Sequence, residues 1–163
     1  MTNLGKLKRL VFAVSLTFSC LAAQTFAQSL VTTIPLEQTP TSIAVNSATN
    51  RVYAACKSPA TLKVLDGATN LVTATIPLNS IFFEPSGIAV NPTTNRLYVD
   101  DFVRGVWVID GATNSVVTTI TLPIGVAKIA VNPVTNMIYV GNMEERTITV
   151  IDGNTTARPR TRF

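Results

Sequence analysis

From Gln28 onward, short apolar runs rich in Val, Ile, Ala and Tyr are separated every few residues by clusters of Asn, Asp, Gly, Pro and Thr. Runs of this length bounded by turn residues predict strands, and no window carries the three-to-four-residue spacing of an amphipathic helix. The middle of the chain shows the scheme most clearly. Gly87 to Asn91 (GIAVN), Arg96 to Asp100 (RLYVD), Gly105 to Asp110 (GVWVID) and Ser115 to Leu122 (SVVTTITL) predict four strands in succession. The first is a continuous run of small apolar residues, as expected of an inner strand packed on both faces. The last alternates Thr with Val and Ile, as expected near a wet edge.

The same unit is written more than once. IAVNSATNRVYA starts at Ile43, IAVNPTTNRLYV at Ile88 and IAVNPVTNMIYV at Ile129, at steps of 45 and 41 residues. VLDGATN (Val64), VIDGATN (Val108) and VIDGN (Val150) keep the same step, as do VTTIPL (Val31), TATIPL (Thr73) and VTTITLP (Val117). A period in this range belongs to a propeller blade or another stacked unit that buries its flanks against its neighbours. The turns have local reasons. In Asn91-Pro92-Thr93-Thr94-Asn95 the proline presets a type I turn and Asn95 is expected in the left-handed conformation that returns the chain. In Asp110-Gly111-Ala112-Thr113-Asn114 the carboxylate is expected to cap the turn and the glycine to take a positive φ.

These phrases resemble the YVTN family of β-propeller repeats. Tyr139-Val140-Gly141-Asn142 matches the family's tetrapeptide best, with Tyr98-Val99-Asp100-Asp101 and Tyr53-Ala54-Ala55-Cys56 weaker. The resemblance covers residues 30 to 153 and implies an all-β fold, a partial β-propeller of about three four-stranded antiparallel blades. Counted in order, the strands comprise a lone leading one (Val31 to Leu36), two complete units and a three-stranded last unit. After Asn154 the pattern gives way to TTARPRTRF, where Pro159 and three arginines replace β-branched residues, and residues 154–163 are expected to be an irregular basic tail on a truncated product. Propellers close with about four to eight blades, so open blade edges are expected to promote self-association, two chains in principle forming a six-bladed ring.

Residues 1–27 read as a secretory signal. Lys6, Lys8 and Arg9 precede the apolar run Leu10 to Ala23, and Thr25-Phe26-Ala27 ends it with a small-residue cleavage site. Phe18 makes a poor lipoprotein box before Cys20. The domain organisation is then a signal peptide (1–27), repeats (28–153) and tail (154–163), with a periplasmic or extracellular location and no membrane attachment after cleavage. Export alters the charge balance. Without residues 1–27 the count is ten basic against nine acidic side chains, and residues 28–157 hold seven against nine. The basic residues thus sit at the ends, which argues against the continuous cationic surface that nucleic acid requires. Cys56 is left without a partner and is expected to be a small buried hydrophobe.

Chemistry is sparse. The chain has no histidine, which rules out in this chain a Ser-His-Asp triad, histidine metal ligation and a histidine-ligated haem. No cofactor, metal or catalytic residue is implied. Strands that run up and down place the loops after each second and fourth strand on one rim, and these loops differ from unit to unit while the opposite turns repeat. Binding specificity belongs in such loops. The candidate binding residues are Phe82, Phe83, Glu84, Asp100, Asp101, Arg104, Asn142, Glu144, Glu145 and Arg146, for an unidentified protein or polysaccharide ligand. Trp107 lies inside a strand and is expected in the core. The function expected is a non-catalytic interaction or ligand-binding scaffold. The alternative is a fragment of a propeller enzyme, lactonase-like or dehydrogenase-like, or of a surface-layer-like protein.

Overall fold

The computed structural model describes residues 28–79 and 85–155. The expected signal peptide, Phe82, Phe83 and Glu84, and residues 156–163 of the tail lie outside them. Two compact units divide at residue 32, and the sheets belong to the second. It contains eleven strands, β1 (Thr39–Asn46), β2 (Arg51–Lys57), β3 (Thr61–Asp66), β4 (Val72–Pro77), β5 (Ile88–Asn91), β6 (Arg96–Asp101), β7 (Gly105–Asp110), β8 (Ser115–Thr121), β9 (Val126–Asn132), β10 (Met137–Asn142) and β11 (Thr147–Asp152). They form three antiparallel sheets in meander order, β1-β2-β3-β4, β5-β6-β7-β8 and β9-β10-β11. No helix among the described residues is long and apolar enough to cross a membrane.

The first strand of each sheet lies beside the first strand of the next, β1 by β5 and β5 by β9. The sheets therefore pack in series, and the middle one buries one flank against the sheet before it and the other against the sheet after it. Alternation within a strand assigns the side chains. Tyr53, Leu62, Val64, Ile76 and Leu78 of the first sheet meet Ile88, Leu97, Val99, Trp107 and Ile109 of the second. Tyr98, Val106 and Leu122 of the second meet Val126, Ile138 and Val140 of the third. Trp107 and Cys56 are buried, as expected of core residues. Burial raises the Cys56 thiol pKa, with Lys63 opposing it weakly, which keeps the thiol protonated and inert. The outermost strand β8 is exposed at six of its seven positions, which is why Thr alternates there at so little cost.

Two expectations need correction. The leading segment Val31 to Leu36 is not a strand: the outer place beside β3 that a fourth strand fills is already taken by β4, and the segment pairs with neither edge of the sheet. Ile34 and Leu36 instead pack against Val52, Ala54, Cys56 and Leu65 on the outer flank of the first sheet. The Asp-Gly turns also work differently from the expected positive φ. Positive φ falls on the asparagines that end the turns, such as Asn95 (φ 52) and Asn114 (φ 53), and not on Gly111. Glycine is required at 111 because a Cβ there would stand 2.4 Å from Asn95 Oδ1, while its N–H donates to the Asn95 carbonyl at 2.9 Å.

Candidate functional site

The turns after each first and third strand form one rim, on which a single device recurs. Asn46 Oδ1 accepts from Ala48 N in its own turn, and Asn46 Nδ2 donates 2.8 Å to Asn95 Oδ1 of the next sheet. Asn91 does the same, capping Thr93 N and donating 2.7 Å to Asn136 Oδ1 of the third sheet. Arg51 Nη1 adds a bond to the Gly111 carbonyl at 2.8 Å. Asp66 and Asp110 accept turn N–H groups, which holds both carboxyls below the ordinary carboxylate range. These asparagines and aspartates are spent on architecture.

The loops after each second and fourth strand form the opposite rim, where the candidate residues were expected. Backbone bonds knit these loops together. Gly125 N donates to Phe102 O at 2.8 Å and its carbonyl accepts from Met143 N at 2.9 Å. A side chain at 125 would meet both Glu144 and Asn142, and φ there is +107°, so glycine is needed. Asp101 and Asn142 occupy equivalent positions, at the ends of β6 and β10, and both are buried. Asp101 Oδ1 caps its loop by accepting from Val103 N and Arg104 N, while its Oδ2 is buried without a hydrogen-bond partner. Asn142 accepts from Glu145 N, and its Nδ2 donates to the carbonyls of Pro123 and Ile124.

Asp100 is buried too, at the junction of the second and third sheets. Oδ1 accepts from Ser86 N at 2.6 Å and Gly87 N at 2.8 Å. Oδ2 lies 2.5 Å from Ser86 Oγ, which is also 2.7 Å from the Ala127 carbonyl. One hydroxyl hydrogen cannot serve both acceptors. A protonated Asp100 resolves the conflict, its O–H donating to Ser86 Oγ and Ser86 donating to Ala127 O. Burial raises the Asp100 pKa in the same direction, against the hydrogen bonds and the more distant Lys128. Thr41 holds the place of Ser86 in the first sheet, its Oγ1 lying 2.5 Å from the Pro85 carbonyl before β5 and 3.0 Å from the Ala55 carbonyl of its own sheet. Sequence reasoning missed Thr41 and Ser86, although a hydroxyl two positions before Ile43 and Ile88 was there to be seen.

The candidate set therefore divides. Asp100, Asp101 and Asn142 hold the rim together. Arg104, Glu144, Glu145 and Arg146 are exposed on it, and Arg104 Nη1 makes a long 3.5 Å bond to Asn79 O. Arg146 closes its turn with φ 57. Among the described residues no three Cys, Asp or Glu side chains converge as a metal-ligand set. An open groove of about 490 Å³ lies on this rim at the first sheet, where the loop after β2 meets the segment that enters β1, and its lining, which includes Glu37, Gln38, Thr39, Lys57 and Ser58, holds none of the candidate residues.

Serial four-stranded meanders whose first strands adjoin and whose flanks interleave are the construction of propeller blades, and the solved structures similar to this chain agree. Kuenenia stuttgartiensis hydrazine synthase is 20% identical with a TM-score of 0.63, over 78% of this chain and 37% of that one. The Myceliophteria thermophila Cps50 (Swd1) β-propeller domain is 12% identical with a TM-score of 0.61, over 73% of this chain and 36% of that one. The fold is a partial β-propeller. At these identities the likeness concerns fold alone, and the chain spans little more than a third of either neighbour. No protein-family model and no curated protein matches the sequence. The three sheets are blades 1, 2 and 3.

Proposed function

We propose that the protein is an exported, non-catalytic propeller of YVTN-like repeats whose loop rim presents a protein or polysaccharide-binding surface. The observation that carries this reading is the division of the rim. Its backbone is fixed by buried Asp100, Asp101 and Asn142, and the side chains left in solvent, Arg104, Glu144, Glu145 and Arg146, differ from blade to blade. A rigid base with variable exposed groups is how repeat folds acquire specificity. The mixed charge of those groups suits a polar ligand with both donors and acceptors.

The test is a thermal-shift and calorimetric screen of the full chain against acidic and neutral polysaccharides and calcium. The same screen runs on a variant carrying Glu144→Gln, Glu145→Gln and Arg146→Ala, whose melting midpoint should stay within about 2 °C because exposed substitutions seldom matter to stability. A ligand that binds the native chain and not the variant supports the reading. Equal binding to both moves the site off the loop that carries Glu144 to Arg146, and turnover of a lactone or a reduced dye overturns the non-catalytic assignment. Export is tested separately by amino-terminal sequencing of secreted protein, expected to begin at Gln28.

A further inference from the structure

The two flanks at the ends of the array differ from every flank inside it. Tyr53 and Tyr98, which face the following blade, are 0% and 3% exposed, but the equivalent Tyr139 of blade 3 is 38% exposed. Leu62 and Val106 are both 0% exposed, and their counterpart Ile148 is 70% exposed. On the opposite side, Ile88 of blade 2 is 8% exposed against blade 1, whereas the equivalent Ile43 of blade 1 is 63% exposed. The bare flanks are thus the two halves of one interface, and that interface occurs twice in assembled form inside the chain.

We propose that blade 3 docks onto blade 1 of a second copy of this chain, and that two such junctions close two chains into a six-bladed ring. Three observations choose this occupant. Each half of the contact is already seen meeting its other half, at the blade 1–blade 2 and blade 2–blade 3 junctions. The asparagine clasp can be repeated. Asn132 has the place of Asn46 and Asn91, its Oδ1 caps Val134 N, and its Nδ2 is left without a partner among the described residues. Asn50 has the place of the acceptors Asn95 and Asn136, with the same left-handed backbone (φ 51). Lastly, Ile34 and Leu36 lie on Val52, Ala54 and Leu65 as Ile76 and Leu78 lie on Leu97, Val99 and Ile109. Thr33 to Leu36 therefore occupies the position of the outer strand of a preceding blade. Among the described residues blade 3 lacks that strand, and none of them pairs with the outer edge of β11.

Docking would bring Thr33 to Leu36 of one copy alongside β11 of the other, so one contact covers both apolar flanks and pairs an exposed edge. One tie is not reproduced, since Met137 stands where Arg51 donates to the following blade. A heterologous contact closes when its rotation permits, and six blades fall within the range of about four to eight that propellers use. This inference does not rest on the loop-rim reading.

Light scattering coupled to gel filtration of the full chain should give twice the mass of one chain. Tyr139→Arg and, separately, Ile43→Asp should each give single chains with an unchanged far-ultraviolet spectrum. A chain carrying both Asn132→Cys and Asn50→Cys should form an interchain disulfide that neither single variant forms. A single-chain mass at millimolar concentration, a two-chain mass that survives both flank substitutions, or a ladder of growing polymers would overturn the closed pair. Should the flank variants not fold, the cysteine pair decides alone, and absence of the disulfide refutes the docking.

Discussion

The two rims solve the same problem in opposite ways. On the turn rim each junction uses the same bond, an asparagine amide donated to the asparagine of the next blade, with Arg51 adding a second at the first junction, and the sequence repeats with little change. On the loop rim the corresponding position near the end of β2, β6 and β10 is Cys56, Asp101 and Asn142 in turn. All three are buried, yet only Asn142 ties two loops together while Cys56 merely fills space. Repetition thus marks where blade-to-blade geometry is set, and variation marks where each blade finds its own local arrangement. A variable residue is not thereby a binding residue.

The largest effect should come from disturbing the repeated rim. Gly111→Ala pushes a methyl against Asn95 and should destabilise the chain by about 2–3 kcal/mol, as overpacking commonly does, read as a lower urea midpoint. Asn91→Ala removes a buried side chain together with its turn cap and its clasp to blade 3 and should cost about 2 kcal/mol, whereas Asn132→Ala on the open flank should cost less than about 0.5 kcal/mol in the single chain. Equal costs for the two would show that the turn cap, and not the clasp, carries the stability.

On the variable rim, Asp101→Asn should stabilise by about 1 kcal/mol, because it removes the charge of a buried carboxylate whose Oδ2 has no hydrogen-bond partner and keeps the Oδ1 cap. A lower midpoint in the variant would show that the Asp101 charge is compensated in the loop. The smallest effect concerns pH. The folded pKa of Asp100 is raised above the ordinary 3.8, so the native state binds the extra proton between that value and the raised one, and the Asp100 contribution to stability declines as pH rises through this window. Asp66 and Asp110 have lowered values, and what they contribute is lost as pH falls below 3.8. Asp100→Asn should therefore flatten only the upper part of the stability profile in chemical denaturation. An unaltered profile would place the proton elsewhere.

Strand positions were legible because alternation and turn chemistry are local. GVWVID, Gly105 to Asp110, is a strand to the residue. The serial packing of blades followed from the repeat period. Less was legible wherever a side chain acts across a junction. Asn46 and Asn91 read as turn residues, which they are, but their second bond to the next blade depends on packing that no short window contains. Asp100 and Asp101 read as candidate binding residues of the loop rim. Neighbouring strand residues point to opposite flanks, and here each flank is buried, one carboxyl against Ser86 and the other under its own loop. Val31 to Leu36 misled because its wording copies a fourth strand faithfully, while pairing requires an edge that the wording cannot supply.

Blade 2 is braced on both sides, while blades 1 and 3 are each braced on one. In an array joined only between neighbours, protection from solvent exchange follows that bracing. In the single chain the amides of β6 and β7 should be the last to take up deuterium, and unfolding should fray inward from β11.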